Sequence, residues 1–126
     1  YPTTVCTQSR SLKTMIAKYF KATGCTDIVD AGMHMYQLHD FGFRGVSSAE
    51  SAAIGGLAHL VNFRGTDTLP ALACARDYYN ESEVGRSIVA SEHSTVTTWG
   101  REGECQSMRA MLEKFRRGLV ACVSDS

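Results

Sequence analysis

The chain has 126 residues, 44% of them hydrophobic and 21% charged, and thirteen Lys and Arg balance thirteen Asp and Glu. This composition excludes a disordered polymer, and the length suits one domain able to bury a core. Zero net charge gives no electrostatic case for nucleic acid or an anionic membrane surface, and no apolar run reads as a transmembrane helix.

In chain order, Thr3 to Thr7 reads as a short strand. Leu12, Met15, Ile16, Tyr19 and Phe20 recur at helical spacing and predict a helix from Ser9 to Thr23, stopped by Gly24. Met33 to Asp40 reads as a strand. Ser47 or Ser48 then caps a helix of small residues, in which Gly55-Gly56 would be tolerated for close packing. Leu60 to Arg64 reads as a strand, and Leu69 to Tyr79 as a helix with Pro70 in its first turn. A strand over Arg86 to Ala90 and a short helix or turn over Glu92 to Trp99 follow. A helix from Glu102 to Arg117 and a strand from Leu119 to Val123 complete the chain. The alternation predicts an α/β fold with parallel strands and helical crossovers.

Five widely spaced cysteines, with no Cys-x-x-Cys pair, argue against a disulfide framework or a zinc site. They read as reduced, mostly buried thiols of an intracellular protein. No dinucleotide-binding or P-loop motif follows any predicted strand.

The predicted strands end in polar clusters: His39-Asp40-Phe41-Gly42-Phe43-Arg44, Arg64-Gly65-Thr66-Asp67, Ser91-Glu92-His93-Ser94 and Ser124-Asp125-Ser126. In parallel α/β folds the carboxyl ends of strands line the ligand site. Plainer roles exist for each residue. His39 and Asp40 could be a structural hydrogen-bonding pair, Asp67 a helix N-cap, Arg44 a surface ion pair and Phe41 core. Against these, Arg44 suits bidentate anion binding and Phe41 suits stacking on a flat ring.

The segments 38–48 (Leu-His-Asp-Phe-Gly-Phe-Arg-Gly-Val-Ser-Ser), 59–68 (His-Leu-Val-Asn-Phe-Arg-Gly-Thr-Asp-Thr), 90–100 (Ala-Ser-Glu-His-Ser-Thr-Val-Thr-Thr-Trp-Gly) and 123–126 (Val-Ser-Asp-Ser) closely resemble, in order and spacing, the nicotinamide phosphoribosyltransferases of the type II phosphoribosyltransferase family. The resemblance implies a partial parallel β/α barrel-like segment of the TIM-barrel type, with residues 1–126 a single piece of a longer barrel domain. It implies transfer of phosphoribose from phosphoribosyl pyrophosphate to nicotinamide in NAD salvage. Mg²⁺ would accompany the pyrophosphate, and ATP would be a coupled substrate. Phe41 would stack on the pyridine ring, Arg44 would contact base and phosphate, and Asp67 would accept the carboxamide N–H. Ser124 would contribute nearby, and His93 would carry a phosphoryl group, so that His93 and Asp67 take the catalytic roles. A cytoplasmic homodimer is implied for the full-length protein, with nuclear or extracellular location as alternatives.

Such enzymes are several-fold longer, and their phosphoribose-binding Arg, Asp and Gly-rich segments have no counterpart here. The isolated chain is therefore expected to be inactive and, with unpaired strand edges, poorly soluble. A non-catalytic nicotinamide-binding or signalling module and a nicotinate phosphoribosyltransferase are the alternatives. Coding sequence continuing past Ser126 into phosphoribose-binding motifs separates the enzyme from the module. An Asp67→Asn change in base preference bears on the choice of base.

Overall fold

Pro2 opens a 21-residue helix, α1 (Pro2–Ala22), in the computed structural model, which describes residues 1–123. Proline is acceptable there because the first helical N–H groups have no partner in any case. Val5, Cys6, Ser9, Ile16 and Phe20 turn inward at helical spacing. The strand expected at Thr3 to Thr7 is therefore the first turns of α1. A strand there would need a neighbour, whereas the helix places the Cys6 carbonyl and Ser9 against Asn62.

The chain divides into two units, Tyr1–Ser87 and Ile88–Ser126. In the first, α2 (Thr26–Asp30) follows α1. Gly32, at φ 73°, leads into a 3₁₀ turn at Met33–Tyr36. The strand expected over Met33 to Asp40 thus shrinks to β1 (His39–Asp40). Ser48 caps α3 (Ala49–Leu60), its Oγ accepting the Ser51 N–H at 3.0 Å. The strand expected at Leu60 to Arg64 is not formed. Leu60 still belongs to α3, and the N–H groups of Asn62 and Phe63 both donate to the His59 carbonyl, turning the chain off the helix end. This turn buries Phe63 completely, with its ring on His59 at 5.3 Å.

β2 (Gly65–Thr66) pairs in parallel with β1, His39 opposite Gly65 and Asp40 opposite Thr66. Arg86 adds a parallel bridge to Gly65. The helix α4 (Leu69–Tyr79) has the expected bounds and Pro70 in its first turn, and Asn80 ends it at φ 56°. Gly56 lets α3 approach α4: a Cβ there would lie 2.7 Å from the Ala71 Cβ and 2.8 Å from Asp40 Oδ2. The expectation of close packing at Gly55-Gly56 is met by this seam of Ala52, Ala58, Ala71 and Ala75, all buried.

In the second unit β3 (Val89–Ala90) pairs in parallel with β4 (Val120–Ala121), Val89 opposite Val120. Between them lie α5 (His93–Thr98), a 3₁₀ turn at Arg101–Gly103 and α6 (Glu104–Lys114). Val96 is its buried apolar residue. The helix expected to run to Arg117 stops earlier, where Phe115 leaves helical geometry at ψ 73°. Gly118 follows at φ 93°.

The fold is mixed α/β, with parallel strand pairs bridged by helices as expected. Among the described residues the strands form two-stranded sheets that do not close into a barrel. No helix among them is long and apolar enough to cross a membrane. All five cysteines are free thiols, and none is fully buried, contrary to expectation, since they lie on helix flanks and near strand edges.

Candidate functional site

The carboxyl ends of β1 and β2 carry a connected group of polar side chains. Successive strand residues project to opposite faces, and the partners of His39 and Asp40 divide accordingly. His39 Nε2 lies 3.0 Å from Asp67 Oδ2. Asp40 accepts the Gly42 N–H on Oδ1 at 3.0 Å and faces the Thr66 hydroxyl at 3.5 Å with Oδ2. The two are therefore not paired with each other, as their adjacency suggested. Asp40 braces the loop and the neighbouring strand, while His39 serves Asp67.

Asp67 is not the N-cap of α4. That position is Thr68, without a side-chain bond. The Asp67 N–H donates to the Asp40 carbonyl at 2.8 Å, and its Oδ1 accepts the Ser87 hydroxyl. Partial burial would raise its pKa, but the Ser87 hydroxyl and the His39 ring together hold the carboxyl below its ordinary value. At neutral pH it is an ionised acceptor. In the sequence Ser87 is only a member of the strand expected over Arg86 to Ala90, and nothing local marks it as the partner of Asp67, 20 residues away.

Phe41 is 66% exposed and so is not core. Its ring centroid is 6.3 Å from that of His39, with the planes 26° apart. His39 thus touches Phe41 on one side and Asp67 on the other. Arg44 sits on the 3₁₀ turn Gly42–Gly45 and is exposed. A cavity of about 410 Å³ is lined in part by His39, Asp40, Phe41, Phe43, His59 and Thr68, but not by Asp67 or Arg44. His59 Nε2 is 3.1 Å from the Gly65 carbonyl. Burial lowers its pKa against the opposing pull of that carbonyl, so the ring is neutral and donates Nε2–H.

In the second unit His93 begins α5, its Nε2 2.8 Å from Glu92 Oε1. Glu92 also accepts the Ser94 N–H at 2.8 Å and so fixes the start of the helix. Ser124 lies outside the described residues. Among the described residues no three His, Cys, Asp or Glu side chains gather to hold a metal ion. The expected Mg²⁺ is therefore assigned to no described residue.

Residues 36–125 match the model of the nicotinate phosphoribosyltransferase (NAPRTase) family. A nicotinamide phosphoribosyltransferase of Xanthomonas campestris pv. campestris (strain 8004) is 51% identical over 128 residues, covering 100% of this chain and 27% of that protein. One from Acinetobacter baylyi is 35% identical over 127 residues, covering 98% and 24%. One from Mycoplasma genitalium is 33% identical over 123 residues, with the same shares. The chain spans about a quarter of the length of these curated relatives. With its family model covering most of the sequence, and with the strand-end residues of both units inside the matched region, the chain belongs to the nicotinate phosphoribosyltransferase family.

Proposed function

We propose that these residues form the base-recognition part of a nicotinamide phosphoribosyltransferase acting in NAD salvage, built on a segment of a parallel β/α barrel. The observation that carries this reading is the ionised Asp67 carboxylate, held by Ser87 and by His39, whose ring also stacks with the exposed Phe41. Phe41 offers a face to a pyridine ring, and Asp67 accepts a carboxamide N–H. Nicotinate would instead set a second carboxylate against Asp67. Two like charges at 4 Å repel by about 1–4 kcal/mol, depending on the effective dielectric.

In the reaction the ring nitrogen forms a bond to C1 of the phosphoribose as the C1–O bond to pyrophosphate breaks, and the pyrophosphate leaves with the electron pair. The sugar carbon is cationic in the transition state, so catalysis is positioning and electrostatic stabilisation. Arg44 contacts base and phosphate. His93, its ring steadied by Glu92, accepts the γ-phosphoryl group of ATP with ADP leaving. The working enzyme is a cytoplasmic homodimer, and the 126 residues alone are inactive.

The test is turnover of nicotinamide and of nicotinate, with phosphoribosyl pyrophosphate, by the full-length protein that carries this sequence. Faster formation of nicotinamide mononucleotide is expected. A preference for nicotinate would replace this reading with the nicotinate enzyme. Binding of nicotinamide without turnover would replace it with the binding module.

A further inference from the structure

We propose that His39 is a positioning residue for base recognition, holding the Asp67 carboxylate in the orientation that receives the amide; this rests on the function proposed above. Asp67 follows β2 with its side chain 48% exposed, and an exposed carboxylate has rotamer freedom to lose when it binds. Two donors reduce that freedom. His39 Nε2 reaches Oδ2 at 3.0 Å, and the Ser87 hydroxyl reaches Oδ1. Each carboxylate oxygen has two lone pairs, so each keeps one for an incoming N–H.

The ring of His39 is itself seated by the backbone. It lies opposite Gly65 in the strand register, where a Cβ would come within 2.7 Å of His39 Nδ1 and 3.0 Å of the Leu38 carbonyl. The absence of a side chain at Gly65 is what admits the ring. Its other neighbour is Phe41. One imidazole therefore sets the distance between the stacking surface and the acceptor, and ordering the site in advance spares that cost on binding.

The experiment uses the full-length protein with His39→Ala and His39→Gln. In His39→Ala the KM for nicotinamide is expected to rise about tenfold, with kcat changed less than about threefold, and the preference over nicotinate should narrow. Gln retains an N–H donor at similar reach, so His39→Gln should recover most of that loss. An unchanged KM in His39→Ala, or a His39→Gln as defective as His39→Ala, overturns the role of His39. Should His39→Ala fail to fold, Ser87→Ala is paired with His39→Gln, and raised KM in Ser87→Ala with near-normal KM in His39→Gln is the supporting result; normal KM in Ser87→Ala overturns it. A wild-type enzyme that turns over nicotinate in preference to nicotinamide overturns the functional reading itself, a result seen before any variant is made.

Discussion

The side-chain amide of Asn62 reaches across to α1 and donates to Ser9 Oγ at 2.8 Å. The same nitrogen donates to the Cys6 carbonyl at 3.1 Å, and Ser9 Oγ donates to that carbonyl as well. Asn62 and Ser9 are both buried. Asn62→Ala leaves these acceptors short of a donor and is expected to destabilise the fold by about 1–3 kcal/mol. Urea denaturation of the two proteins, with the slope unchanged and the midpoint lowered, checks it.

Asp67→Asn removes the charge that opposes nicotinate while keeping the side chain's shape. The ratio of kcat/KM for nicotinamide over nicotinate is expected to fall about tenfold or more, within the range that repulsion of about 1–4 kcal/mol allows. Steady-state kinetics of the full-length variant on both bases measure it. An unaltered ratio would remove Asp67 from base selection.

His93 is exposed and steadied by Glu92. Incubation of the full-length protein with γ-labelled ATP is expected to give an acid-labile label. His93→Asn should abolish it, and Glu92→Gln should reduce it, because the ring loses its charged partner. Label persisting in His93→Asn would move the phosphoryl acceptor elsewhere.

His59 makes stability depend on pH. Its folded pKa lies below the ordinary value of about 6.5, chiefly because burial opposes the charged form. The unfolded chain then binds more protons between the folded and unfolded values, so stability rises with pH in that window. The contribution is fully present above about pH 6.5 and is lost as pH falls through the folded pKa. His59→Gln is expected to flatten this part of the profile, measured by melting temperature between pH 7.5 and pH 5.

The helices could be read from local signals because their ends carry them: Ser48 caps α3 with its own hydroxyl, and Pro70 marks the first turn of α4. The strands could not. Each is two residues long, and what makes it a strand is a partner far along the chain, such as Gly65 for His39. Apolar periodicity over Met33 to Asp40 looked extended, yet the left-handed Gly32 turns the chain into a 3₁₀ turn first. At the site, residue types and the polar strand ends were legible. The pairing of His39 with Asp67 rather than with Asp40 was not, since it follows from which face of a two-residue strand each side chain takes.

The shortness of β1 has a consequence for how this sequence tolerates length change. With side chains alternating at every residue, inserting or deleting one residue in the segment that ends at Leu38 would exchange the faces taken at β1 by His39 and Asp40. The carboxylate of Asp40 would then confront Asp67, and the imidazole would be driven against Gly56, where a single Cβ already has no room. The segment before β1 is therefore a fixed-length ruler: substitutions there are a matter of packing, whereas a one-residue indel would set a second carboxylate against the one that meets the base.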